Sequence, residues 1–317
     1  MTPCRRRRFP SAETVAAMSK HHSRPRGYAD LPEPLPVPVY DNHTHVDPIV
    51  DEADSPRLRN GVEPLTPEEQ LRRAEAVGVR GIVQVGTDPE SSRWSAALAA
   101  RDARVLAAVA IHPNFVVQYA DAGILEDSLE EIAQLAAQPR VRAVGETGID
   151  LHYVEPGTDA FTRERSLQRA AFARHIEIAK STGRALQIHD RDAHEDVVDV
   201  LLTQGAPEKT VFHCFSGDVE LARICNEHGW YLSFAGNVTF PSAANLRRAL
   251  AVADREHILV ETDAPYMAPV PNRGRPNAPY LVPDTVRFLA DVLQSPVAQL
   301  AAQVAANTET VYGSWEA

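Results

Sequence analysis

Histidine and carboxylate side chains recur at the ends of short apolar runs in this sequence. Six of eight such runs end in His, Glu or Asp, while their amino-terminal ends show no such pattern; the residues are His43, His45, His112, Glu146, His189, His213 and Asp263. Because His43 and His45 are two residues apart, both side chains point to one face of an extended chain. Imidazole with carboxylate suits Zn, Mn, Fe or Ni, and carboxylate-rich sites also accept Mg. The pattern predicts a metal site with open positions, in which Glu146 could bridge two ions.

The apolar runs are typical of strands buried on both faces, because they are rich in Val and Ile and mostly lack alternation. We predict eight strands, at 37–42, 81–86, 105–111, 141–146, 185–189, 210–213, 230–234 and 258–261. Helical patterns separate most of them, beginning where Thr66, Pro67 and Glu69 form an amino-terminal capping signal. The predicted helices cover 66–77, 128–137, 161–181, 193–202, 219–228, 243–251, 282–293 and 297–311.

This order of strands and helices predicts an α/β fold, a (β/α)8 TIM-type barrel, over about 280 residues. In such a barrel the carboxyl ends of the strands meet at one mouth, where active sites are built. Residues a hundred positions apart in sequence would therefore lie side by side. A doubly wound open sheet is the alternative that the pattern alone leaves open.

Composition limits the class of protein. The chain has 317 residues and a formal net charge of −11, which disfavours a passive, basic nucleic-acid coat protein. No run approaches the roughly 18 apolar residues of a membrane span, so an integral membrane protein is excluded. Only three cysteines are present, which indicates a reducing compartment, and we predict a cytoplasmic protein with no membrane contact and no obligate protein partner.

The amino-terminal region differs from the rest. Residues 1–30 carry seven Lys/Arg against two acidic residues, and a Pro-rich stretch follows. We predict a disordered basic tail over residues 1–36 and a single domain over 37–317. A solvated tail is the simpler interpretation of the Arg5–Arg8 run, and a nucleic-acid or targeting arm is the alternative.

Three residues near the strand ends are candidate substrate contacts. Arg191 lies two residues beyond His189, and a guanidinium suits bidentate contact with phosphate, although an ion pair with a neighbouring carboxylate fits equally. Arg273 lies in a Pro-rich loop after the last strand, and His112 either contacts substrate or orients a ligand. The remaining histidines of this region are interpreted as structural: His152, His175, His194, His228 and His257.

Taken together, these motifs resemble the TatD family of metal-dependent deoxyribonucleases. The matching elements are Asp-Asn-His-Thr-His at 41–45, Ile-His-Pro at 111–113, Gly-Glu-Thr-Gly-Ile-Asp at 145–150, Ile-His-Asp-Arg at 188–191, His-Cys-Phe-Ser-Gly at 213–217, Glu-Thr-Asp-Ala-Pro-Tyr at 261–266 and Arg-Gly-Arg-Pro-Asn-Ala-Pro at 273–279. They occur in the family's order and cover roughly residues 38–317.

The resemblance implies a barrel of the amidohydrolase, metallo-dependent hydrolase type with two divalent cations, usually Mg or Mn. It implies as ligands His43, His45, Glu146, His189, His213 and Asp263. The expected activity is hydrolysis of DNA phosphodiesters, with 3′→5′ exonuclease action on single strands or free 3′ ends. Asp263 would orient or deprotonate the attacking water, and His112, Arg191 and Arg273 would contact the substrate.

Two other classes of function compete with this expectation. The same metal pair could hydrolyse another ester or amide, for example the ester of a D-aminoacyl-tRNA. A non-catalytic, metal-dependent binding protein would instead need aromatic platforms for single-stranded nucleic acid. Phe115 and Tyr153 are among the few aromatic candidates for such platforms near the predicted mouth.

Overall fold

A computed structural model describes residues 27–47 and 61–315 of the protein. All eight predicted strands are present and form one sheet in sequence order. Their bounds are β1 Val39–Thr44, β2 Val79–Val85, β3 Val105–Val109, β4 Val141–Asp150, β5 Ala185–Arg191, β6 Thr210–Phe212, β7 Tyr231–Phe234 and β8 Ile258–Val260. The structure confirms the (β/α)8 barrel and excludes the open sheet, in which the strands would follow another order.

The barrel closes where β1 meets β8. Neighbouring strands from β1 to β8 form parallel ladders, whereas the first and last strands meet through an isolated parallel bridge between Thr44 and Ala264. Two backbone hydrogen bonds reinforce this seam: the Asp263 N–H donates to the His43 carbonyl over 3.0 Å, and the His45 N–H donates to the Ala264 carbonyl over 2.8 Å. Three of the residues that close the barrel, His43, His45 and Asp263, are therefore predicted metal ligands.

Helices cover the outside of the barrel. They are α1 Pro67–Ala76, α2 Pro89–Arg101, α3 Pro113–Asp121, α4 Leu125–Ala136, α5 Asp159–Thr182, α6 His194–Gln204, α7 Val219–His228, α8 Ala244–Val252, α9 Val282–Val292 and α10 Val297–Tyr312. The predicted amino-terminal cap of α1 is confirmed, since Thr66 Oγ1 accepts the Glu69 N–H over 3.2 Å. The sequence pattern did not predict α2 or α3.

Strand β4 extends four residues past the predicted end at 146, to Asp150. Two glycines beside Glu146 allow β4 and β5 to approach closely. A Cβ on Gly145 would lie 2.4 Å from Cβ of Gln187, and one on Gly148, which has a φ of +143°, would lie 2.0 Å from the carbonyl oxygen of His189. The Gly-Glu-x-Gly motif thus sets how near Glu146 comes to His189.

The barrel floor, opposite the mouth, is closed by aromatic side chains. Trp315 stacks on Tyr40 with ring centroids 4.0 Å apart and packs under Gly81, where a Cβ would lie 2.5 Å from its indole nitrogen. Above them the interior is filled by small and branched apolar side chains such as Val83 and Ala108. Packed side chains therefore fill the interior of the barrel below the mouth.

Residues 27–36 were predicted to belong to a disordered tail, but they pack on the barrel. Ala29 and Leu35 are buried, and the Leu35 N–H donates to the Val77 carbonyl over 3.0 Å. The Tyr280 hydroxyl donates to the Ala29 carbonyl over 2.7 Å. The Pro-rich composition thus reflects an extended strap against the barrel, and the predicted tail over 1–26 lies outside the described residues.

In the part of the chain that the structure describes, no helix is both long and apolar enough to cross a bilayer. Cys214 and Cys225 are free thiols. The cytoplasmic location stays a prediction.

Candidate metal centre

The strand ends bring the predicted site residues to one mouth. A cavity of about 600 Å³ opens there, and its walls include His45, His112, Glu146, His189, His213 and Asp263. His43 lies fully buried beneath them. Arg191 also lines this cavity, whereas Arg273 lies elsewhere, with its guanidinium 4.4 Å above the Phe240 ring.

A first donor group combines the two histidines of β1 with Asp263 and one oxygen of Glu146. The Nε2 atoms of His43 and His45 lie 3.2 Å apart, and each lies 3.9 Å from Asp263 Oδ1. Glu146 Oε2 is 3.4 Å from His43 Nε2 and 3.7 Å from His45 Nε2. Four ligand atoms therefore surround one point.

A second donor group forms around the other oxygen of Glu146. Glu146 Oε1 lies 2.8 Å from His189 Nδ1 and 3.0 Å from His213 Nε2. The carboxylate thus divides its two oxygens between two sets of imidazoles. A carboxylate shared between two metal ions would use its two oxygens in this way.

The tautomer of His43 is fixed by a neighbour from across the barrel. Its Nδ1 lies 3.1 Å from Gln187 Oε1. The Gln187 amide nitrogen donates to the Asn42 carbonyl over 2.7 Å, which identifies Oε1 as the acceptor. His43 Nδ1 therefore carries the hydrogen, and the lone pair of Nε2 faces the first donor group.

The same arrangement recurs at two further histidines. His45 Nδ1 donates to the Val85 carbonyl over 3.0 Å, and His213 Nδ1 donates to Glu261 Oε1 over 3.2 Å. In its neutral form, each ring thus turns an Nε2 lone pair toward Glu146. Metal-binding histidines are oriented in this way by acceptors behind the ring.

These contacts leave acceptors facing acceptors. In the first donor group two imidazole lone pairs and two carboxylate oxygens converge in a buried space with no hydrogen-bond donor of the four residues between them. Such a cluster is stable only with positive charge at its centre. The residues present therefore fit a divalent cation, and imidazole with carboxylate is the donor chemistry for it.

The ionisation of the second group shows the same preference for positive charge. Burial opposes charge on His189, yet hydrogen bonds to Asp150 and Glu146 raise its pKa to about 9. Burial likewise opposes charge on His213, but Glu146 and Glu261 raise its pKa well above the usual value. Burial also opposes ionisation of Glu146, while His213 and His112 hold its pKa well below the usual range.

His112 has the opposite tautomer from the other rings. Its Nδ1 accepts the Asn114 N–H over 3.1 Å and caps helix α3, so the hydrogen of the neutral ring is on Nε2. That atom lies 3.3 Å from Glu146 Oε1. Burial lowers the pKa of His112, which keeps the ring neutral. His112 is thus a hydrogen-bond donor to Glu146 or to substrate, not a metal ligand through Nε2.

Asp263 lies at the junction of the first donor group and the cavity. It follows β8 with a φ of +51°, and the Tyr266 N–H donates to its carbonyl over 2.8 Å. The pKa of Asp263 is raised to about 7. Burial is the main cause of this rise; His213 opposes it and the nearby Glu146 carboxylate adds to it. A carboxylate with this pKa can accept a proton near neutral pH.

Three residues that support the centre were not among the predicted site residues. Asp150, Glu261 and Gln187 hold His189, His213 and His43 respectively, over 3.1, 3.2 and 3.1 Å. The sequence contained a signal for these residues. Each lies two or four positions from a predicted ligand on the same strand or its extension, and residues at that spacing share one face of a strand. The sequence analysis considered only the residues at the ends of the apolar runs, and so it missed this signal.

Comparisons with known proteins identify the family of this chain. A profile of the family described as TatD related DNase matches residues 40–313. The chain is 44% identical over 275 residues to a protein of Mycobacterium tuberculosis named uncharacterized metal-dependent hydrolase TatD, covering 87% of this chain and 98% of that protein. It is 31% identical over 246 residues to the uncharacterized metal-dependent hydrolase YabD of Bacillus subtilis, covering 77% and 92% of the two chains.

A solved structure matches as well. The crystal structure of YjjV, a TatD homologue from Escherichia coli K12, superposes with a TM-score of 0.72 at 27% sequence identity. The match covers 87% of this chain and 98% of that one. The barrel described above is therefore similar in fold to that of a solved TatD homologue.

Proposed function

Because the chain belongs to the TatD family of metal-dependent hydrolases, we propose that it hydrolyses DNA phosphodiester bonds with two divalent cations, Mg or Mn. We further propose that it acts as a 3′→5′ exonuclease on single strands or free 3′ ends. The observation that supports this most is the division of Glu146 between two imidazole groups, with Oε2 3.4 Å from His43 Nε2 and Oε1 3.0 Å from His213 Nε2. The choice of DNA as the substrate class follows from the description of the family as TatD related DNase.

The two donor groups assign the proposed ligands. His43, His45 and Asp263 would hold one ion and His189 with His213 the other, with Glu146 shared between them. Bound there, two divalent ions supply Lewis acidity toward a phosphoryl oxygen and lower the pKa of water.

Asp263 is the proposed general base. Its Oδ1 is within 3.9 Å of the β1 histidines and its side chain lines the cavity, so the carboxylate is placed to accept a proton from a water molecule there. In this role it orients the attacking water and accepts its proton.

His112 and Arg191 are the proposed phosphate contacts. The neutral His112 ring presents Nε2–H at the cavity wall beside Glu146, and Arg191 presents its guanidinium at the same cavity. Donors in these places stabilise charge on the phosphate oxygens. Arg273 is no longer proposed for this role, because its guanidinium stacks on Phe240.

The exonuclease mode of the proposal rests on the family resemblance, and the donor groups indicate only from which side a substrate enters. They lie at the bottom of the mouth, above a barrel that is filled with side chains. A substrate therefore has to bring its phosphate into the cavity from the open side of the mouth. The 3′ polarity rests on the family resemblance.

The test uses single-stranded DNA labelled at either end, incubated with the purified protein and Mg, Mn, Zn or EDTA. A 5′ label should give a ladder of products that shorten one nucleotide at a time, in Mg or Mn but not in EDTA. The Asp263→Asn variant, purified in parallel, controls for a contaminating nuclease. Absence of metal-dependent DNA cleavage, together with release of the amino acid from D-aminoacyl-tRNA, would replace this proposal with ester hydrolysis.

A further inference from the structure

Tyr153 is an aromatic side chain that the fold leaves open at the wall of the metal cavity. It is 71% exposed, more than any other aromatic residue in the ranges 27–47 and 61–315, and it lines the cavity with the metal groups. It lies in the loop between β4 and α5. A tyrosine ring this exposed gains little free energy of burial on folding, because most of its apolar surface stays in water.

The ring is nevertheless held in place by its neighbours. The Arg191 guanidinium carbon lies 5.1 Å from the ring centroid, and Arg191 also donates to the phenol oxygen over 3.0 Å. His152 packs edge-on at 5.0 Å between ring centroids. These contacts fix the plane of the ring while most of its surface stays open.

The turn that carries Tyr153 is tied to the metal centre by one carboxylate. Asp150 Oδ1 accepts the His152 N–H over 3.0 Å, and Asp150 Oδ2 lies 3.1 Å from His189 Nε2. A proposed ligand and the exposed ring are therefore positioned by the same side chain. This arrangement gives the ring a defined place relative to the site of reaction.

We propose that Tyr153 is a stacking platform for the nucleobase next to the scissile phosphate, with Arg191 beside it to contact that phosphate. This inference rests on the proposed function. A π-face accepts every base, so such a platform adds affinity without sequence preference. It places one base while the donors in the cavity place its phosphate.

The experiment separates the base from the phosphate in the substrate. Cleavage rates are compared for a single-stranded oligodeoxynucleotide and for matched oligonucleotides with a tetrahydrofuran abasic site at each of the last three positions. The enzyme variants are Tyr153→Leu, which removes the ring, and Tyr153→Phe, which keeps the ring but removes the hydroxyl that Arg191 contacts. Leu202→Ala is the surface control, because Leu202 is 54% exposed on helix α6.

We expect the Tyr153→Leu variant to lose about tenfold in kcat/KM on the normal oligonucleotide, chiefly through KM, as expected for one stacked base. On the substrate that lacks the stacked base, wild type and this variant should differ by less than twofold. The Leu202→Ala variant should resemble wild type, and the Tyr153→Phe variant, which keeps the stacking ring, should retain more activity than Tyr153→Leu. Because Tyr153 is so exposed, its variants should fold, which thermal unfolding verifies.

Four outcomes would overturn the inference. Equal losses for the Leu and Phe variants on all substrates would show that Tyr153 acts only through its hydroxyl on Arg191. An unchanged Tyr153→Leu variant would show that no base stacks there. If wild type cleaves no oligonucleotide in Mg or Mn, the proposed function itself fails and the inference falls with it; cleavage of both normal and abasic DNA at equal rates by wild type sinks the inference alone.

Discussion

Two pairs of stacked rings lie at opposite ends of this barrel. At the floor, Tyr40 and Trp315 stack with centroids 4.0 Å apart and planes 21° apart; at the mouth, His43 and His213 stack at 3.8 Å and 14°. The floor pair lies in an apolar cluster, whereas the mouth pair lies between Glu146 and Glu261.

The difference separates two uses of the same strands. The floor rings exclude water and gain free energy by burial. The mouth rings are buried with carboxylates, an arrangement that costs free energy unless positive charge joins it. We therefore expect substitutions at the mouth to change chemistry and metal content, and substitutions at the floor to change stability.

The largest effect is expected from Glu146→Ala. Both donor groups lose their shared oxygen ligand, so metal content should fall below one ion per chain and DNA cleavage to background. Plasma emission on the purified variant measures the metal, and gel assays measure cleavage. A variant that keeps two ions per chain would show that Glu146 is not the bridge.

Asp263→Asn should act on the chemical step. Asparagine offers an oxygen to an ion but cannot accept a proton, so single-turnover cleavage should slow by about 10²–10⁴-fold. Metal content should fall only modestly, and DNA binding measured by anisotropy should persist. Near-normal cleavage would require another general base.

Trp315→Ala tests the floor. Removing a large, buried ring should lower the free energy of unfolding by about 3–5 kcal/mol, as measured by urea denaturation. Metal content and cleavage per folded molecule should stay within about twofold of wild type, because the ring is far from the cavity walls. A loss of activity without loss of stability would contradict the separation of the two ends.

The smallest effect concerns His175, a buried histidine of helix α5 close to the mouth. It accepts the Ile111 N–H over 3.1 Å, its Nδ1 lies 2.9 Å from Thr147 Oγ1, and burial lowers its pKa to about 4. Because this pKa is below that of the unfolded chain, His175 contributes stability above pH 6.5 that is lost as the pH falls toward 4.

The expected loss from His175 is about 2 kcal/mol between pH 7 and pH 5. Urea denaturation of wild type and His175→Gln at both pH values measures it. The variant should be less stable at pH 7 but should lose about 2 kcal/mol less on acidification. Parallel pH dependences for the two proteins would show that another group is responsible.

The fold was predictable where burial leaves a clear mark on composition. The eight strands are Val- and Ile-rich because both of their faces are covered. Helix α2 was missed because it packs through small residues such as Ser92, Ser95 and Ala99, which give no apolar periodicity. The strap at 27–36 was missed because its contacts are backbone carbonyls and isolated apolar side chains.

The candidate site was predictable at the level of residue type but not of orientation. Strand ends indicated which residues share the mouth, and the structure places six predicted ligands together. The sequence could not show that the Arg273 side chain lies on Phe240, nor that His112 presents a donor, because side-chain direction depends on tertiary packing. Confirmation of the individual roles depends on the variants above.

The seam between β1 and β8 gives the proposed first ion a mechanical role. Residues 43 and 45 face residue 263 across the isolated bridge that closes the barrel. An ion held there would therefore cross-link two segments that are more than 200 residues apart in the sequence. Such a cross-link raises stability because it limits the conformational freedom of the unfolded chain. Without the ion, backbone amides along this seam should exchange with solvent before those of the paired strands. The same few ligand atoms would then both close the barrel at this seam and carry out its proposed chemistry.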